Sequence, residues 1–462
     1  MKRFKLARMI LVIILLAQLA FQLESCQKSV SLPEQISNAE FVTQANSDNT
    51  KALPHTKQYP ADVATEWFTL LTRVARTKPY GNPQALRIYA YSGVALYESV
   101  VPGMPAYQSI YKHLTGNAIE VDNKKDYYWP ACANAAIARI SSKIMQNYPT
   151  PNLASLQALE ASLNASFQSQ VTPEQLQFSN EFGRYVADII YDWSKADGTL
   201  NSVGTLAVCP AYTPLGGPGN WVPIPPAFLP AVGACQGNLR SFIPNLSNTV
   251  MPPSHPAYST TPSSEFFQAA NEVYQTSLQL TADDLKLVEF WRDKAGNYNQ
   301  ASHTVKLTSD IIANADVNLE DASVLFAKQT MAMFDGIVAA SKAKFHYSLL
   351  RPITYVRNVM GYTNWNSAIP TSQSPSYPGF QGLQASSVVI LENFFGNDYA
   401  VTDSTQNALY GSWQYASLNN WLQDVAKSSI SSGTEFRFAI EGGITQGNAV
   451  GQMINALPFK KQ

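Results

Sequence analysis

The sequence predicts an all-α fold, and three features of the chain support this expectation. After Tyr59, apolar residues recur mostly with a helical period, helix N-cap residues precede several of these stretches, and strand-like alternation is almost absent. Among 462 residues, 45% are hydrophobic and 14% are charged, which is typical of a globular protein. We therefore expect a helical bundle with a sizeable core, most simply arranged as one domain.

The first 25 residues have the organisation of a secretory signal, with a basic start and an apolar run at 9–21. That run of about 13 residues is shorter than the ~20 that a spanning helix needs. Cys26 follows a small residue, Ser25, as in a bacterial lipobox, although Glu24 is atypical there. We predict an exported protein whose Cys26 is acylated, anchored to the membrane in the bacterial periplasm or outer membrane. An ordinary signal peptide or a membrane-anchoring helix is the alternative.

Residues 26–60 are polar and predict a tether, so the domain is placed at 61–462. In an exported chain, cysteines invite a search for disulfides. Cys209 and Cys235 flank a Pro/Gly-rich loop, and a bridge between them is predicted, with two free thiols as the alternative. Cys132 lies among small apolar residues and is expected to pack as a buried hydrophobe.

Three helices have clear start signals. Thr172-Pro173 gives an N-cap residue followed by proline at the first helical position, and apolar residues from Phe182 to Trp193 then share one face. Thr281 precedes a second helix. Asn318 precedes a third helix, which we expect to run through Ala339. The acidic residues around 316–321 only loosely suggest a calcium loop, and a helix N-terminus is the better interpretation.

Residues 200–262 are crowded with proline and glycine, and they predict long surface loops between helices. The net charge of −1 and the lack of basic runs beyond the N-terminus argue against nucleic acid as a partner. Five histidines without a Cys/His cluster disfavour a zinc site, so no metal site is predicted.

Three motifs carry the only recognisable chemistry. Lys344 is followed after six residues by Arg351-Pro352, then come Tyr377-Pro378-Gly379-Phe380-Gln381 and, later, Glu435-Phe436-Arg437-Phe438. Together they resemble the vanadium-dependent haloperoxidase and type 2 phosphatidic acid phosphatase superfamily, whose pattern is Lys-x6-Arg-Pro, Ser-Gly-His and Arg-x5-His. The resemblance implies a haloperoxidase-like helical bundle, with Lys344 and Arg351 as oxyanion-binding residues.

The later motifs depart from the family pattern at every chemical position. Gly379, Phe380 and Gln381 stand where Ser-Gly-His belongs, Ser429 stands where the second arginine belongs, and Glu435 takes the position of the axial or nucleophilic histidine. Gln381 cannot exchange a proton near neutral pH. A carboxylate at 435 would repel vanadate. We therefore expect no vanadate or other cofactor.

These replacements predict a protein that has lost vanadate-dependent catalysis and acts as a binding or scaffold protein of the cell envelope, with an unknown small-molecule or envelope partner. The alternative is a divergent haloperoxidase or acid-phosphatase-like enzyme that holds an oxyanion with Lys344 and Arg351. Its candidate catalytic residues would be these two with His346, Gln381 and Glu435, although His346 has the alternative of a packed structural residue. We further expect Glu435 to replace the lost anion as an internal counter-ion.

Overall fold

A long, almost entirely buried helix runs through the fold and carries the first of the three motifs. The computed structural model describes residues 53–77, 81–146, 148, 152–200, 205–206, 210–294 and 296–461. The predicted signal, Cys26 and most of the predicted tether lie outside these residues. In chain order the helices are α1 Asp62–Thr77, α2 Asn82–Val100, α3 Ile110–Thr115, α4 Trp129–Met145, α5 Leu153–Phe167, α6 Pro173–Ser194, α7 Leu246–Thr249, α8 Glu265–Leu278, α9 Ala282–Trp291, α10 Gln300–Asn314, α11 Leu319–Tyr347, α12 Pro352–Asn358, α13 Gly382–Phe395, α14 Asn407–Tyr410, α15 Leu418–Ser432 and α16 Arg437–Asn455.

Helix α11 is the long central helix. Asn318 caps it by accepting a hydrogen bond from the backbone N–H of Asp321 at 3.0 Å, as predicted. The helix does not stop near Ala339 but continues to Tyr347, because no proline or glycine interrupts that stretch. It ends where Ser348 turns into the left-handed region at φ 49°. The extra turns carry Lys344 on a rigid element.

Two helical bundles share α11. On one side, α11 packs against α2, which also packs on α4, and α4 packs on α6. On the other side, α11 packs against α13 and α16. The predicted cap of α6 is confirmed, since the Thr172 hydroxyl accepts from the backbone N–H of Gln175 at 3.1 Å. The cap at Thr281 is confirmed as well, as a capping box with Asp284. The all-α prediction is thus correct.

Close glycine contacts bring α13 and α16 together beside the motif segments. A Cβ atom at Gly443 would lie 2.1 Å from the carbonyl oxygen of Gly379, and one at Gly447 would lie 2.1 Å from that of Gly382. No side chain fits at such distances, so only glycine permits this backbone approach. The backbone N–H of Gly379 donates to the Ala439 carbonyl at 2.6 Å. The second and third motifs are therefore fixed to each other by their backbones.

Strand structure in the described part of the chain is limited to short hairpins. β1 (Thr199–Leu200) pairs antiparallel with β2 (Thr205–Leu206), and β3 (Val401–Asp403) pairs antiparallel with β4 (Trp413–Tyr415). In the second hairpin, Val401 lies opposite Tyr415. Both hairpins are connections between helices and leave the helical architecture unchanged.

The Pro/Gly-rich region is more than a surface loop. Trp221 is fully buried, and its backbone N–H donates to the Ser348 carbonyl at 2.6 Å. The Leu350 N–H donates to the Gly219 carbonyl at 2.9 Å, and the hydroxyls of Tyr212 and Ser348 are 2.8 Å apart. This region therefore braces the connection between α11 and α12.

Residues assigned to the end of the tether pack into the domain instead. The Thr56 side chain is buried and donates to the Val100 carbonyl at 2.8 Å, while the Trp129 indole donates to the Pro54 carbonyl at 2.6 Å. Pro60 forms an antiparallel bridge with Asn318. The folded part thus begins several residues before the predicted boundary at 61, because Thr56 and Pro54 supply partners that the polar composition of the segment did not reveal.

Cys132 is buried and free, as predicted, and burial raises the pKa of its thiol. Cys235 is disulfide-bonded. Its predicted partner, Cys209, lies outside the described residues, so the pairing stays a prediction. None of the described helices is long and apolar enough to cross a membrane. Nor do the described His, Cys, Asp and Glu side chains form a group of three or more that could hold a metal ion.

Candidate functional site

The two cations that the sequence assigned to oxyanion binding lie together at the junction of α11 and α12. Lys344 is in the last turn of α11 and is fully buried. Its ammonium group donates to the carbonyl oxygens of Pro375 and Ser376, each at 3.0 Å. Arg351 is the N-cap residue of α12 and is 2% exposed. Two positive charges are thus held in the interior, where they require a counter-charge.

The guanidinium group of Arg351 is oriented by the segment before the second motif. Its Nε donates to the Ser374 carbonyl at 2.6 Å, and its Nη2 donates to the Ser374 hydroxyl at 2.9 Å. Nη1 donates to the Thr434 carbonyl at 3.2 Å. The fork of donors that binds an oxyanion in a bidentate manner is therefore largely used by the protein itself.

Glu435 supplies the counter-charge. Its carboxylate is 6% exposed, and its Oε1 accepts from Arg351 Nη1 at 2.5 Å. The same oxygen is 4.0 Å from Lys344 Nζ, and Oε2 accepts from the Ser376 hydroxyl at 2.5 Å. The expected placement of this carboxylate beside the two cations is observed, and it is closer to Arg351 than to Lys344.

Burial also changes the acidity of the lysine. Removal from water lowers the pKa of Lys344 to about 7; the Glu435 carboxylate opposes this change, and the nearby Arg351 charge adds to it. The Lys344 ammonium lies 4.4 Å from the centre of the Phe380 ring. A cation on an aromatic face is attracted by the ring quadrupole. Phe380 therefore covers the lysine on the side where the family pattern has a glycine.

The remaining replaced positions contact one another. Gln381, which is 7% exposed, donates from Nε2 to the Ser429 hydroxyl at 2.7 Å. Its Oε1 has no hydrogen-bond partner among the described residues. A Cβ at Gly379 would lie 2.2 Å from that oxygen and 3.1 Å from the Ala439 carbonyl. A serine at 379 would thus force Gln381 to turn away, so the replacements at 379 and 381 are sterically coupled.

His346 is not brought to this site, which corrects its candidacy as a replacement base. Its side chain is exposed, whereas that of Lys344 is fully buried. Two residues along a helix correspond to a rotation of about 200°, so the two side chains leave α11 on opposite sides. The His346 ring instead packs edge-on against Tyr347 at 4.9 Å.

His303 has a structural environment. It is 2% exposed, and its Nε2 lies 2.7 Å from both Asp403 Oδ2 and Thr405 Oγ1. Burial alone would raise the pKa of Asp403, but His303 and the neighbouring hydrogen-bond donors lower it to about 2. The His303 ring also stacks on Trp291 at 4.6 Å. These contacts join α10 to the second hairpin and to α9.

Residues 252–259 form a strap over the site that was not predicted from the sequence. The hydroxyl groups of Tyr347, Tyr355 and Tyr377 each donate to a backbone carbonyl of this strap. His255 lies within it, with its ring centre 5.3 Å from that of Tyr377 and 5.8 Å from that of Tyr347. The available signal was the set of tyrosines that flanks the first two motifs, since buried tyrosine hydroxyls need partners.

Ser374 and Ser376 also belong to the site, although no role was predicted for them from the sequence. Their side chains are buried against Arg351 and Glu435. They alternate with Pro375 immediately before the second motif, and this alternation was the only sign in the sequence. The Ser376 hydroxyl donates to Glu435, whereas the Ser374 hydroxyl accepts from Arg351. The carbonyl groups of this segment accept from both cations.

This arrangement does not fit a vanadate ion. The Lys344 ammonium is directed at two carbonyls, Arg351 is paired with Glu435, and the ring of Phe380 covers the lysine. In the register predicted from the sequence, Ser429, Gln381 and Glu435 stand where the family pattern has its third cation and its two histidines. An added anion would meet a carboxylate where the family supplies a neutral or cationic donor.

Two of the cavities in the described part of the fold lie away from this cluster. One of about 700 Å³ borders Trp193, Arg240 and Lys342, and we call it the Arg240 cavity. The other, of about 660 Å³, borders Glu98 and His113. Neither is lined by any residue of the Lys344–Arg351–Glu435 cluster. The cluster is thus packed by side chains and does not face either cavity.

The fold and the site define a class of protein: a two-bundle helical protein with a buried Lys–Arg–Glu cluster at the junction of α11 and α12. Comparison with known proteins agrees. Residues 324–457 match the family model described as the VCPO second helical-bundle domain. A search of curated proteins found no match.

Solved structures with the same fold include three structures of bacterial vanadium-dependent iodo- and chloroperoxidases. The first bacterial vanadium-dependent iodoperoxidase is 21% identical, with a TM-score of 0.78 over 91% of this chain and 100% of that chain. A holo-type bacterial vanadium-dependent chloroperoxidase is 14% identical, with a TM-score of 0.64 over 83% and 94%. An apo-type chloroperoxidase is 15% identical, with a TM-score of 0.61 over 90% and 98%. The chain therefore has the fold of these bacterial vanadium-dependent peroxidases, and the match to the family model lies in the half that contains α11 to α16.

Proposed function

We propose that this chain is a haloperoxidase-fold protein without vanadate-dependent catalysis, which acts as a binding or scaffold protein of the cell envelope. The observation that carries the proposal is the Glu435 carboxylate, 2.5 Å from Arg351 and 4.0 Å from Lys344. It occupies the charge-balancing role that an oxyanion has in the family. The cations are thereby retained without a ligand.

The energy terms support this interpretation. Two unit charges about 4 Å apart interact by about 4 kcal/mol at an effective dielectric constant near 20. A multiply charged vanadate facing Glu435 would therefore be repelled by several kcal/mol. Two lost charge-assisted hydrogen bonds would remove roughly 1.5–3 kcal/mol each. Together these terms weaken binding by about four powers of ten or more.

Vanadate titration by calorimetry, paired with an assay of peroxide-dependent iodide oxidation, tests the proposal. The wild-type chain should neither bind vanadate at micromolar concentration nor oxidise iodide. The positive arm restores the family pattern with Gln381→His, Ser429→Arg and Glu435→His, with and without Phe380→Gly. Binding should appear only when Phe380 is also removed, because its ring covers Lys344. Tight vanadate binding with iodide oxidation by the wild type would overturn the proposal.

One observation favours the alternative, a divergent enzyme. The pKa of Lys344 is lowered to about 7, a range in which an amine exchanges protons readily at neutral pH. Such an enzyme would turn over a phosphate ester or a peroxide–halide pair and would lose that turnover in Lys344→Met. Exposed lysines such as Lys124 provide the control, as Lys124→Met should leave any turnover unchanged. Turnover that depends on Lys344 would decide for the enzyme.

The envelope location rests on the N-terminal sequence. A basic start, a short apolar run and Ser25-Cys26 favour export and acylation of Cys26. Mass spectrometry of protein extracted from membranes should find a diacyl or triacyl group on Cys26, and a Cys26→Ser variant should appear in the soluble fraction. A mature chain that starts at another residue and carries no lipid would contradict this part of the proposal.

A further inference from the structure

We propose that the Arg240 cavity binds a small hydroxylated organic anion, with a carboxylate or phosphate group held by Arg240 and Lys342. Its volume of about 700 Å³ is within the range of roughly 300–1,000 Å³ that is usual for small-molecule sites. The cavity lies apart from the Lys344–Arg351–Glu435 cluster. The inference is therefore independent of the proposed function.

Arg240 is held in a fixed orientation at the cavity wall. Its guanidinium carbon lies 4.4 Å from the Trp193 ring centre, and its Nη2 donates to the Tyr91 hydroxyl and the Trp193 carbonyl, each at 3.1 Å. The hydrogen bonds formed among the described residues leave Nη1 without a partner. A half-buried, oriented guanidinium group with unused donors is suited to bind a carboxylate or phosphate.

The charged side chains that line the Arg240 cavity are all positive. Lys342 is the second cation in its lining, which contains no aspartate or glutamate. Neither Arg240 nor Lys342 forms an ion pair within 4.0 Å among the described residues. Asp335 acts on Arg240 from the buried side, but both of its oxygens accept backbone N–H groups of Phe242 and Ile243. The lining of the cavity therefore carries two cations and no carboxylate, and Asp335 offsets only part of the Arg240 charge from outside the lining.

The rest of the lining indicates the body of the ligand. Amide side chains of Asn117, Asn245 and Asn248 border the cavity, and Tyr111 packs edge-on against Trp193 at 5.6 Å. Amides both donate and accept hydrogen bonds, so they suit hydroxyl groups. Aromatic walls suit a ring or a carbon chain. A sugar acid or a sugar phosphate has this combination of hydroxyls, carbon skeleton and one anionic group.

Calorimetric titration of the full chain with D-glucuronate, D-glucose 6-phosphate and D-glucose tests the inference. At least one of the two anions should bind, and glucose should bind more weakly by tenfold or more. The Lys342→Met variant should weaken anion binding by about tenfold or more, as expected for loss of a charge-assisted hydrogen bond. Lys124→Met changes the charge equally on an exposed site outside the cavity, and it should have no effect.

The outcomes separate the possible ligands. Binding of glucuronate alone identifies a carboxylate ligand, binding of the phosphate ester alone identifies a phosphate ligand, and binding of both identifies a site for negative charge. Arg240→Met should abolish binding, and Lys342→Met decides the matter if that variant fails to fold. The inference is wrong if neither anion binds more tightly than glucose at millimolar concentration, or if Lys342→Met and Lys124→Met behave alike.

Discussion

Glu435→Gln should destabilise the fold, because it leaves the buried Arg351 guanidinium, and Lys344 whenever it is protonated, without an anion. Lys344 is fully buried and Arg351 is 2% exposed, so water cannot replace the lost carboxylate. Removing one partner of a buried ion pair typically costs about 3–5 kcal/mol. The amide keeps the volume and one acceptor oxygen for Arg351, so we expect a loss near the lower limit, about 3 kcal/mol in the free energy of unfolding.

A matched surface pair provides the control. Glu272 accepts from Arg437 at 2.5 Å, the same distance as in the buried pair, but the Arg437 side chain is 51% exposed. Glu272→Gln should therefore cost at most about 1 kcal/mol. Denaturant unfolding of both variants, with equal slopes, gives the comparison directly.

Added anions give a second measurement of the same idea. Glu435→Ala removes both charge and side chain, and acetate or phosphate should then raise its melting temperature more than that of the wild type, since a ligand of the folded state stabilises it. The reasoning is refuted if Glu435→Gln costs no more than Glu272→Gln and anions have equal effects on Glu435→Ala and wild type.

Three further predictions concern the same site and the disulfide. The pKa of Lys344 is about 7 in the fold and 10.5 when unperturbed, so the unfolded chain binds more protons between these values and the free energy of unfolding should rise with pH across that window. Unfolding midpoints at pH 7, 8 and 9 should increase with pH, and Lys344→Met should reduce this increase. An increase that is the same in Lys344→Met would contradict the prediction. Gln381→Met should change the free energy of unfolding by less than about 1 kcal/mol, because the Gln381 Oε1 has no partner among the described residues and Ser429 keeps a hydrogen bond to a backbone carbonyl. Chemical unfolding tests this, and a larger loss would show that the amide is needed. Non-reducing peptide mapping should recover Cys235 linked to Cys209, and Cys235→Ser should cost about 3 kcal/mol; a linkage to another cysteine would refute the pairing.

The helices were predictable from the sequence because their signals are local. Thr172, Thr281 and Asn318 each cap the helix that their pattern predicts. The end of α11 was predicted too early. The segment after Ala339 contains no proline or glycine, so the helix can continue, and burial in the bundle stabilises the additional turns. Such burial depends on partners distant in the sequence, which a single-chain pattern does not show.

The site was predictable only as a set of positions. Comparison of the motifs with the family pattern predicted that Lys344, Arg351 and Glu435 lie close together, but it did not predict which cation the carboxylate would bind. That choice depends on Pro375 and Ser376, whose carbonyls take the donors of Lys344 and leave Arg351 for Glu435. Helical rotation explains why His346, close in sequence, points away.

The strap and the Pro/Gly-rich region were the least predictable parts. Their positions are set by single contacts across long sequence separations, such as the bond from the Tyr347 hydroxyl to the Pro252 carbonyl. Such contacts leave no periodic signal in the sequence. The composition did indicate correctly that most of the described residues of this region lie outside regular helices.

Packing and charge account for the presence of Lys344 and Arg351 in the interior. The glycine contacts between α13 and α16 join the second and third motifs through their backbones, so this arrangement does not depend on a ligand. In that setting a carboxylate at 435 neutralises the buried cations from within the chain. Removal of the Glu435 carboxylate should lower the free energy of unfolding even if no anion is ever bound, because an unpaired buried charge is itself destabilising. Stability alone therefore accounts for the buried cations at 344 and 351, and the Glu435 variants test this explanation.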